Sequence, residues 1–282
     1  MAQQTIPIWI KKRVFSDGNI EEMRRLLAEF SIDTVCKNAV CPNMYECFSR
    51  GYASFMILGN RCTRNCRFCG VSPLRKTVPP DTEEPGKIAL AIKKLKMRYA
   101  VITSPTRDDL TDGGAGHFAA VTREIRNLNP GTKIELLIPD FGGNRSSMEK
   151  IFRSAPDVIS HNIETVEPLY RHVRPSSDYA TSIGILEAVK KNGFVTKSGF
   201  MLGLGEKKED VLSLLHALRD AGCDYLVIGQ YLRPSKEALP VKEFVTKEVF
   251  REYEEAGRKI GFRNIFAGTF FRSSYLADKL IQ

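Results

Sequence analysis

Six of the seven cysteines crowd between Cys36 and Cys69. No secretory signal is evident over Met1 to Arg13, so this clustering points to metal ligation rather than disulfides. Cytosolic thiols stay reduced, and thiolates are good ligands for soft metals. The downstream set lies in Gly59-Asn60-Arg61-Cys62-Thr63-Arg64-Asn65-Cys66-Arg67-Phe68-Cys69-Gly70, a C-x3-C-x2-C run with an aromatic residue before its last cysteine. Three thiolates on one short loop can hold three irons of a 4Fe-4S cube and leave the fourth iron open to another ligand; a fourth cysteine would close the site. Structural zinc is the competing reading, but it wants four Cys or His ligands in paired spacings, and no histidine stands near this loop. Arg61, Arg64 and Arg67 either screen the thiolates and raise the cluster's potential or are simply solvated. Upstream, Cys36-x4-Cys41-x5-Cys47 supplies three more thiolates, for which a second cluster is the natural inference, with no evident cysteine as fourth ligand. Cys223, before the apolar run Tyr225 to Ile228, reads as a small core residue.

These thiols need a frame. Asn19 can cap a helix with Glu22 at its third position, and Ile20, Met23, Leu26, Leu27 and Phe30 then form one apolar stripe leading to the first cysteines. Thereafter short β-type runs alternate with helical segments: Ser54 to Leu58, Ala100 to Thr103, Lys133 to Ile138, Val158 to Ile163, Thr196 to Leu202 and Tyr225 to Tyr231. That alternation predicts parallel strands joined by crossover helices. One helix shows Ile88, Ala91, Ile92 and Leu95 on a face, and another Phe118, Val121, Ile125 and Leu128. A third runs from about Lys208 to Asp220, with Val211, Leu212, Leu215 and Leu218 inward and Gly222 as its C-terminal cap. Six βα units make a partial or complete barrel, with room for a seventh strand at Asn264 to Thr269. In such barrels functional groups gather after the C-terminal strand ends, where Cys62, Thr103 to Gly116, Asp140 to Ser147 and His161 to Arg174 all fall. A doubly wound open sheet is the alternative.

With 282 residues, 43% of them apolar and 27% charged, the chain can bury the core of one enzyme-sized domain. Its longest apolar runs are far below the roughly 18 residues that span a bilayer, so no membrane span is expected. A bacterial or archaeal cytoplasm fits best, and a processed organelle protein would read the same. The net charge of +9 is dispersed, with local pairs such as Lys93-Lys94. It reads first as solvated helix faces and second as attraction to an acidic protein partner; no nucleic acid is expected.

The C-x3-C-x2-C run resembles that of the radical-SAM superfamily, in which the open iron chelates the amino and carboxylate groups of S-adenosylmethionine. The two cysteine sets in this order, with Arg272-Ser273-Ser274-Tyr275 near the end, further resemble the lipoyl synthase family. So do Cys41-Pro42-Asn43, Phe55-Met56-Ile57-Leu58-Gly59, Arg107-Asp108-Asp109-Leu110 with Asp112-Gly113-Gly114-Ala115, His161-Asn162-Ile163-Glu164-Thr165 and Gly203-Leu204-Gly205-Glu206. Phe48 stands where that family usually has Trp, Asn60 where Asp is frequent, and Phe270-Phe271 also depart from it. The resemblance implies a partial (β/α)6 TIM-like radical-SAM barrel over 54–262, an N-terminal extension over 1–53 with the auxiliary-cluster cysteines, and a C-terminal segment over 263–282. It implies two 4Fe-4S clusters and S-adenosylmethionine as cofactors, with Ser274 completing the auxiliary set; the same four residues could also open a serine-capped helix. The activity implied is insertion of two sulfur atoms at C6 and C8 of an octanoyl chain, the auxiliary cluster being the sulfur source. An unactivated methylene offers no acidic proton, so a radical-forming cofactor must supply the chemistry. The partners implied are an octanoylated lipoyl carrier (a lipoyl domain or the glycine cleavage H protein), a low-potential electron donor and an iron-sulfur carrier that rebuilds the spent cluster.

Asn162 and Glu164, at a strand end, can bind the ribose or amino group of S-adenosylmethionine, with Arg174 near its carboxylate; Thr103 and Ser104 are comparable candidates. All five could equally be loop scaffolding. His161 and His117 lack companions at metal-ligand spacing and read as structural. Gly113-Gly114 and Gly203-x-Gly205 read as tight turns rather than phosphate loops. Three alternatives compete: another radical-SAM sulfur inserter such as a methylthiotransferase, a two-cluster electron carrier, and a basic zinc protein that binds nucleic acid.

Overall fold

A computed structural model describes residues 7–12, 17–74, 76 and 78–281; most of the stretch Met1 to Arg13 lies outside the described residues. The first helix, α1 (Gly18–Glu29), starts earlier than expected. Its cap is Asp17, whose carboxylate accepts from Ile20 N–H at 3.1 Å, and Asn19 instead donates its amide to the carbonyl of Ser49. An aspartate cap satisfies the free amides of a first turn as well as asparagine does, and it also suits the positive end of the helix dipole. The expected stripe is buried at Ile20, Met23, Leu26 and Leu27 and half-buried at Phe30. After it come β1 (Asp33–Thr34) and two short helices, α2 (Val35–Asn38) and α3 (Met44–Ser49).

The β-type runs then become strands: β2 (Ser54–Met56), a two-residue pair β3 (Arg61–Cys62) and β4 (Ser72–Pro73), β5 (Tyr99–Thr103), β6 (Lys133–Leu137), β7 (Val158–Ser160), β8 (Val195–Leu202), β9 (Tyr225–Gln230) and β10 (Asn264–Gly268). Apart from the β3–β4 pair, they form an eight-stranded sheet in the order β1-β2-β5-β6-β7-β8-β9-β10. All of its pairings are parallel except β1 with β2. The seventh parallel strand, β10, is therefore formed. The crossovers carry α4 (Glu84–Lys94), α5 (Ala115–Leu128), α6 (Arg145–Arg153), α7 (Glu167–Val173), α8 (Tyr179–Lys191), α9 (Lys208–Asp220) and α10 (Lys247–Ile260); α11 (Ala277–Leu280) follows β10. In α9 the inward set is Val211, Leu214, Leu215 and Leu218, with Leu212 only half-buried, because the stripe follows the i, i+3, i+4, i+7 spacing. Cys223 is buried, as expected, with its Sγ 3.1 Å from the carbonyl oxygen of Tyr225.

Both faces of the sheet are covered, so β5 and β9 read as continuous buried runs. On β5, Ala100 and Ile102 pack under the helices, whereas Tyr99 and Val101 pack against Ala277. On β9, Leu226 and Ile228 face the helices, whereas Tyr225 and Val227 meet Leu280. The strand period of two thus sends alternate residues outward to the helices and inward, where α11 packs against β5 and β9 on the concave side of an open barrel.

Four adjacent strands meet there in a buried polar knot. Lys197 Nζ lies 2.7 and 2.8 Å from the two carboxylate oxygens of Glu135, which also accept from Tyr99 OH at 2.6 Å and Ser160 Oγ at 2.8 Å. Both charged side chains have zero exposure, so each depends on the other for compensation. Lys197→Met strands the carboxylate and is expected to lower the stability of the metal-free chain by ~3–5 kcal/mol, read as a fall in the urea midpoint.

Candidate iron-sulfur and radical-initiating site

The first thiol loop leaves β2 through Leu58 and Gly59, both in the left-handed region at φ 66° and 82°, and is closed by the β3–β4 pair. Within it exposure alternates: Arg61, Thr63, Asn65 and Arg67 are exposed, while Cys62, Cys66 and Cys69 are half-buried. The three thiols are thus sheltered from solvent, as are Arg64 and Phe68. Backbone amides already point at two of the sulfurs, with Arg64 N–H at 3.4 Å from Cys62 Sγ and Val71 N–H at 3.4 Å from Cys69 Sγ, an arrangement that favours thiolates. Arg64 neither screens the thiolates nor is solvated. Its guanidinium forks onto Asp140 at 2.6 and 2.7 Å and onto Asp108 at 2.9 Å, tying the loop to those after β5 and β6. Arg67 lies at 2.9 Å from His172 Nδ1, and its backbone bonds to Val173 and Leu239.

In the second set, Cys36 sits on α2, whose cap Thr34 accepts from Lys37 N–H. The chain reverses at Val40 (φ 51°), Cys41 N–H donates back to the Cys36 carbonyl at 3.0 Å, and α3 presents Cys47. Cys36, Cys41 and Cys47 line one cavity, and its far wall is Arg272, Ser274 and Tyr275. The four residues that sequence and family resemblance assign to the second cluster are thus together.

The wall is fastened from the N-terminal side. Asn43 Nδ2 donates to the Phe270 carbonyl at 2.6 Å, Tyr275 OH to Glu46 at 2.9 Å, and Tyr52 OH to Asp278 at 2.9 Å. Glu46 also pairs with Lys12 at 2.7 Å and Arg50 at 3.0 Å. From inside the barrel the wall rests on two strand glycines. A methyl on Gly229 would stand 2.3 Å from the Phe271 carbonyl oxygen, and one on Gly199 would stand 2.8 Å from Ser273 Oγ. Glycine inside a strand signals such close backbone approach, and that signal could have pointed to this contact. The turn over Arg272 to Tyr275 precedes α11, which has no side-chain cap.

A further cavity, of about 210 Å³, touches Cys69 of the first set, Cys41 of the second, and also Glu164, Met201, Ser273 and Ser274. It joins the two thiol sets through one space. Burial pushes the Cys36 thiol up to about 11 and those of Cys47 and Cys69 up to about 12, so all three are protonated in the metal-free chain, and ligation must release protons.

The residues expected to meet S-adenosylmethionine have distinct surroundings. Arg174 donates to Tyr170 OH at 2.6 Å and to the Asn162 carbonyl at 3.2 Å, and its buried Nε has no partner. Ser104 Oγ is likewise buried without a partner. Thr103 has spent its hydroxyl proton on the Leu137 carbonyl at 2.8 Å. Burial raises the pKa of Glu164, against the pull of Arg174. Asn162 Oδ1 accepts from Ser273 Oγ at 2.6 Å, a link that sequence reasoning missed although Ser273 is adjacent to Ser274. His161 is structural. Its ring nitrogens bond to the Ile138 carbonyl and Ser182 Oγ, both at 2.9 Å, and burial holds its pKa down at about 4. His117 pairs with Glu84 at 2.6 Å. The Gly203 and Leu204 amides are taken by the Glu206 carboxylate, so this glycine turn holds its own anion.

The Radical SAM superfamily model matches residues 56–218. A lipoyl synthase of Caldicellulosiruptor saccharolyticus is 49% identical over 99% of this chain and 98% of its own length. A mitochondrial lipoyl synthase of Nematostella vectensis is 48% identical over 98% of this chain and 95% of its own. Among solved structures, HydG, a maturase of the FeFe-hydrogenase, superposes with a TM-score of 0.60 at 14% identity, covering 89% of this chain and 68% of that one. Methylornithine synthase (PylB) gives 0.57 at 15%, covering 74% and 62%. These two likenesses are of fold.

Proposed function

This chain belongs to the lipoyl synthase family of radical-SAM enzymes, and on that premise we propose that Cys62, Cys66 and Cys69 hold the radical-initiating cluster and Cys36, Cys41, Cys47 and Ser274 the sacrificial one. The family reaction is insertion of two sulfur atoms at C6 and C8 of a protein-bound octanoyl chain, with two 4Fe-4S clusters and S-adenosylmethionine as cofactors. When bound, the first cluster supplies reductive cleavage of S-adenosylmethionine to a 5'-deoxyadenosyl radical, and the second supplies sulfur.

The chain's own groups fit those tasks. Three thiols on one short loop leave a coordination position for S-adenosylmethionine, and the unpartnered Arg174 Nε and Ser104 Oγ are donors for its polar groups. Asn162 and Glu164 complete that set, and Thr103 offers only an acceptor. Ser274 gives a hard alkoxide to an otherwise thiolate set, a ligand suited to being released. The observation that carries this reading is the cavity touching Cys69, Cys41 and Ser274 at once, for a methylene held there lies within reach of both chemistries. Its apolar walls, including Phe68, Met201 and Tyr231, suit an acyl chain.

The carrier delivering that chain is an acidic lipoyl domain or glycine cleavage H protein, steered by the +9 charge. A low-potential donor reduces the first cluster, and an iron-sulfur carrier rebuilds the second. Among the described residues no helix is long and apolar enough to cross a membrane, and the compartment is the cytoplasm or, as the Nematostella vectensis relative's name has it for that protein, the mitochondrion. The decisive measurement is mass spectrometry of an octanoylated carrier peptide after anaerobic incubation with S-adenosylmethionine and reductant. Two C–H groups should become C–SH groups, so that under reductant the peptide gains two sulfurs with its hydrogen count unchanged; a peptide that acquires no sulfur sinks the assignment.

A further inference from the structure

We propose that Glu84, Arg107 and Gly114 are positioning residues for the first thiol loop: they hold Leu58 in a left-handed conformation and thereby aim residues 59–70. Leucine at φ 66° is strained, and such strain persists only where the surroundings over-determine it. Here all three parts of the residue are gripped. Its N–H donates to Glu84 Oε2 at 2.9 Å, from the first residue of α4. Its carbonyl accepts from Arg107 at 2.9 Å. Its side chain lies against Gly114, where a Cβ would stand 2.3 Å from Leu58 Cδ1.

The grips are themselves braced. Arg107 is buried, forked onto Asp109 by two bonds of 2.8 Å, and donates to the Val78 carbonyl at 2.6 Å. Glu84 is backed by His117. Between Arg107 and Asp109, Asp108 takes hold of the loop itself, through Thr63 Oγ1 at 3.0 Å and Arg64 at 2.9 Å. The run Arg107-Asp108-Asp109 therefore fixes both the take-off of the loop and its middle, and neither contact touches a sulfur. A loop that must present three thiols to one cube tolerates little angular error at its root.

The test compares Arg107→Lys and Glu84→Ala with the parent chain. Lysine keeps the charge but cannot make the planar fork, and Glu84 is partly exposed at a helix start, so its loss spares the core. In the metal-free chain, amide exchange over residues 59–70 should accelerate at least about tenfold while β6 to β9 keep their protection. After reconstitution, the change that S-adenosylmethionine makes in the electron paramagnetic resonance spectrum of the reduced first cluster should diminish. The spectrum of the second cluster, recorded in a Cys66→Ala background, should not change. Unchanged exchange together with an unchanged response overturns the proposal, and so does uniform loosening of the whole barrel with loss of both clusters. If Arg107→Lys does not fold, Glu84→Ala decides alone. The proposal rests on the cluster assignment above, but the exchange measurement needs no cluster, so the two can fail separately.

Discussion

Cys66→Ala is expected to abolish 5'-deoxyadenosine formation, by at least about 10⁴-fold, equivalent to about 5 kcal/mol of barrier. Two thiolates cannot keep a site-differentiated cube in place, and no neighbouring side chain can substitute. The flanking residues Asn65 and Arg67 face outward, and the second thiol set is engaged across the cavity. The fold should survive, because Cys66 is only half-buried and the loop is tied down by Arg64, by the β3–β4 pair and by the Arg67 backbone. About half of the iron, that of the second set, should remain after reconstitution. Parental deoxyadenosine yield in this variant would remove the first cluster from the assignment; loss of all iron would show that the two sets do not bind independently.

Ser274→Ala should separate the two halves of the reaction. Its wall stays in place through Tyr275 to Glu46 and Asn43 to the Phe270 carbonyl, so the change is confined to one oxygen. S-adenosylmethionine cleavage should proceed, whereas sulfur-containing product should fall at least about 10²-fold relative to deoxyadenosine, near 3 kcal/mol. Ser274→Cys offers a softer ligand that holds iron more firmly, and is expected to keep the cluster but slow insertion. The readout is the ratio of inserted sulfur to deoxyadenosine in one assay. A parental ratio in Ser274→Ala would exclude the serine as a ligand that matters to transfer.

Much of the frame could be read from local pattern. Parallel strands buried on both sides leave continuous apolar runs, so six strands and three of the seven crossover helices were recognisable one by one, and the cysteine spacing named its chemistry without any fold. What escaped is what depends on distant partners. Asn19 and Asp17 are both good caps, and the choice between them turns on Ser49, which claims the Asn19 amide. Arg64 looks like any arginine beside a cluster until Asp108 and Asp140 arrive from two other loops. Ser274 was reachable only through family resemblance, since nothing in its own neighbourhood marks a ligand, and Ser273 joins Asn162 across the width of the barrel. The Arg107-Asp108-Asp109 run was visible as a motif, but its object, a single strained leucine, was not.

That the segment after β10 packs back on the earlier strands has a consequence for the order of folding. The first thiol loop is anchored by residues up to Leu239, whereas the second set waits for Ser274, more than two hundred residues beyond Cys47, and joining such distant segments is the slow, loop-closing part of folding. A nascent chain that has not yet made Ser274 has its first three thiols framed and its second three facing an unfilled lumen. The radical source can therefore be framed in a growing chain before the sulfur store is closed by Ser274.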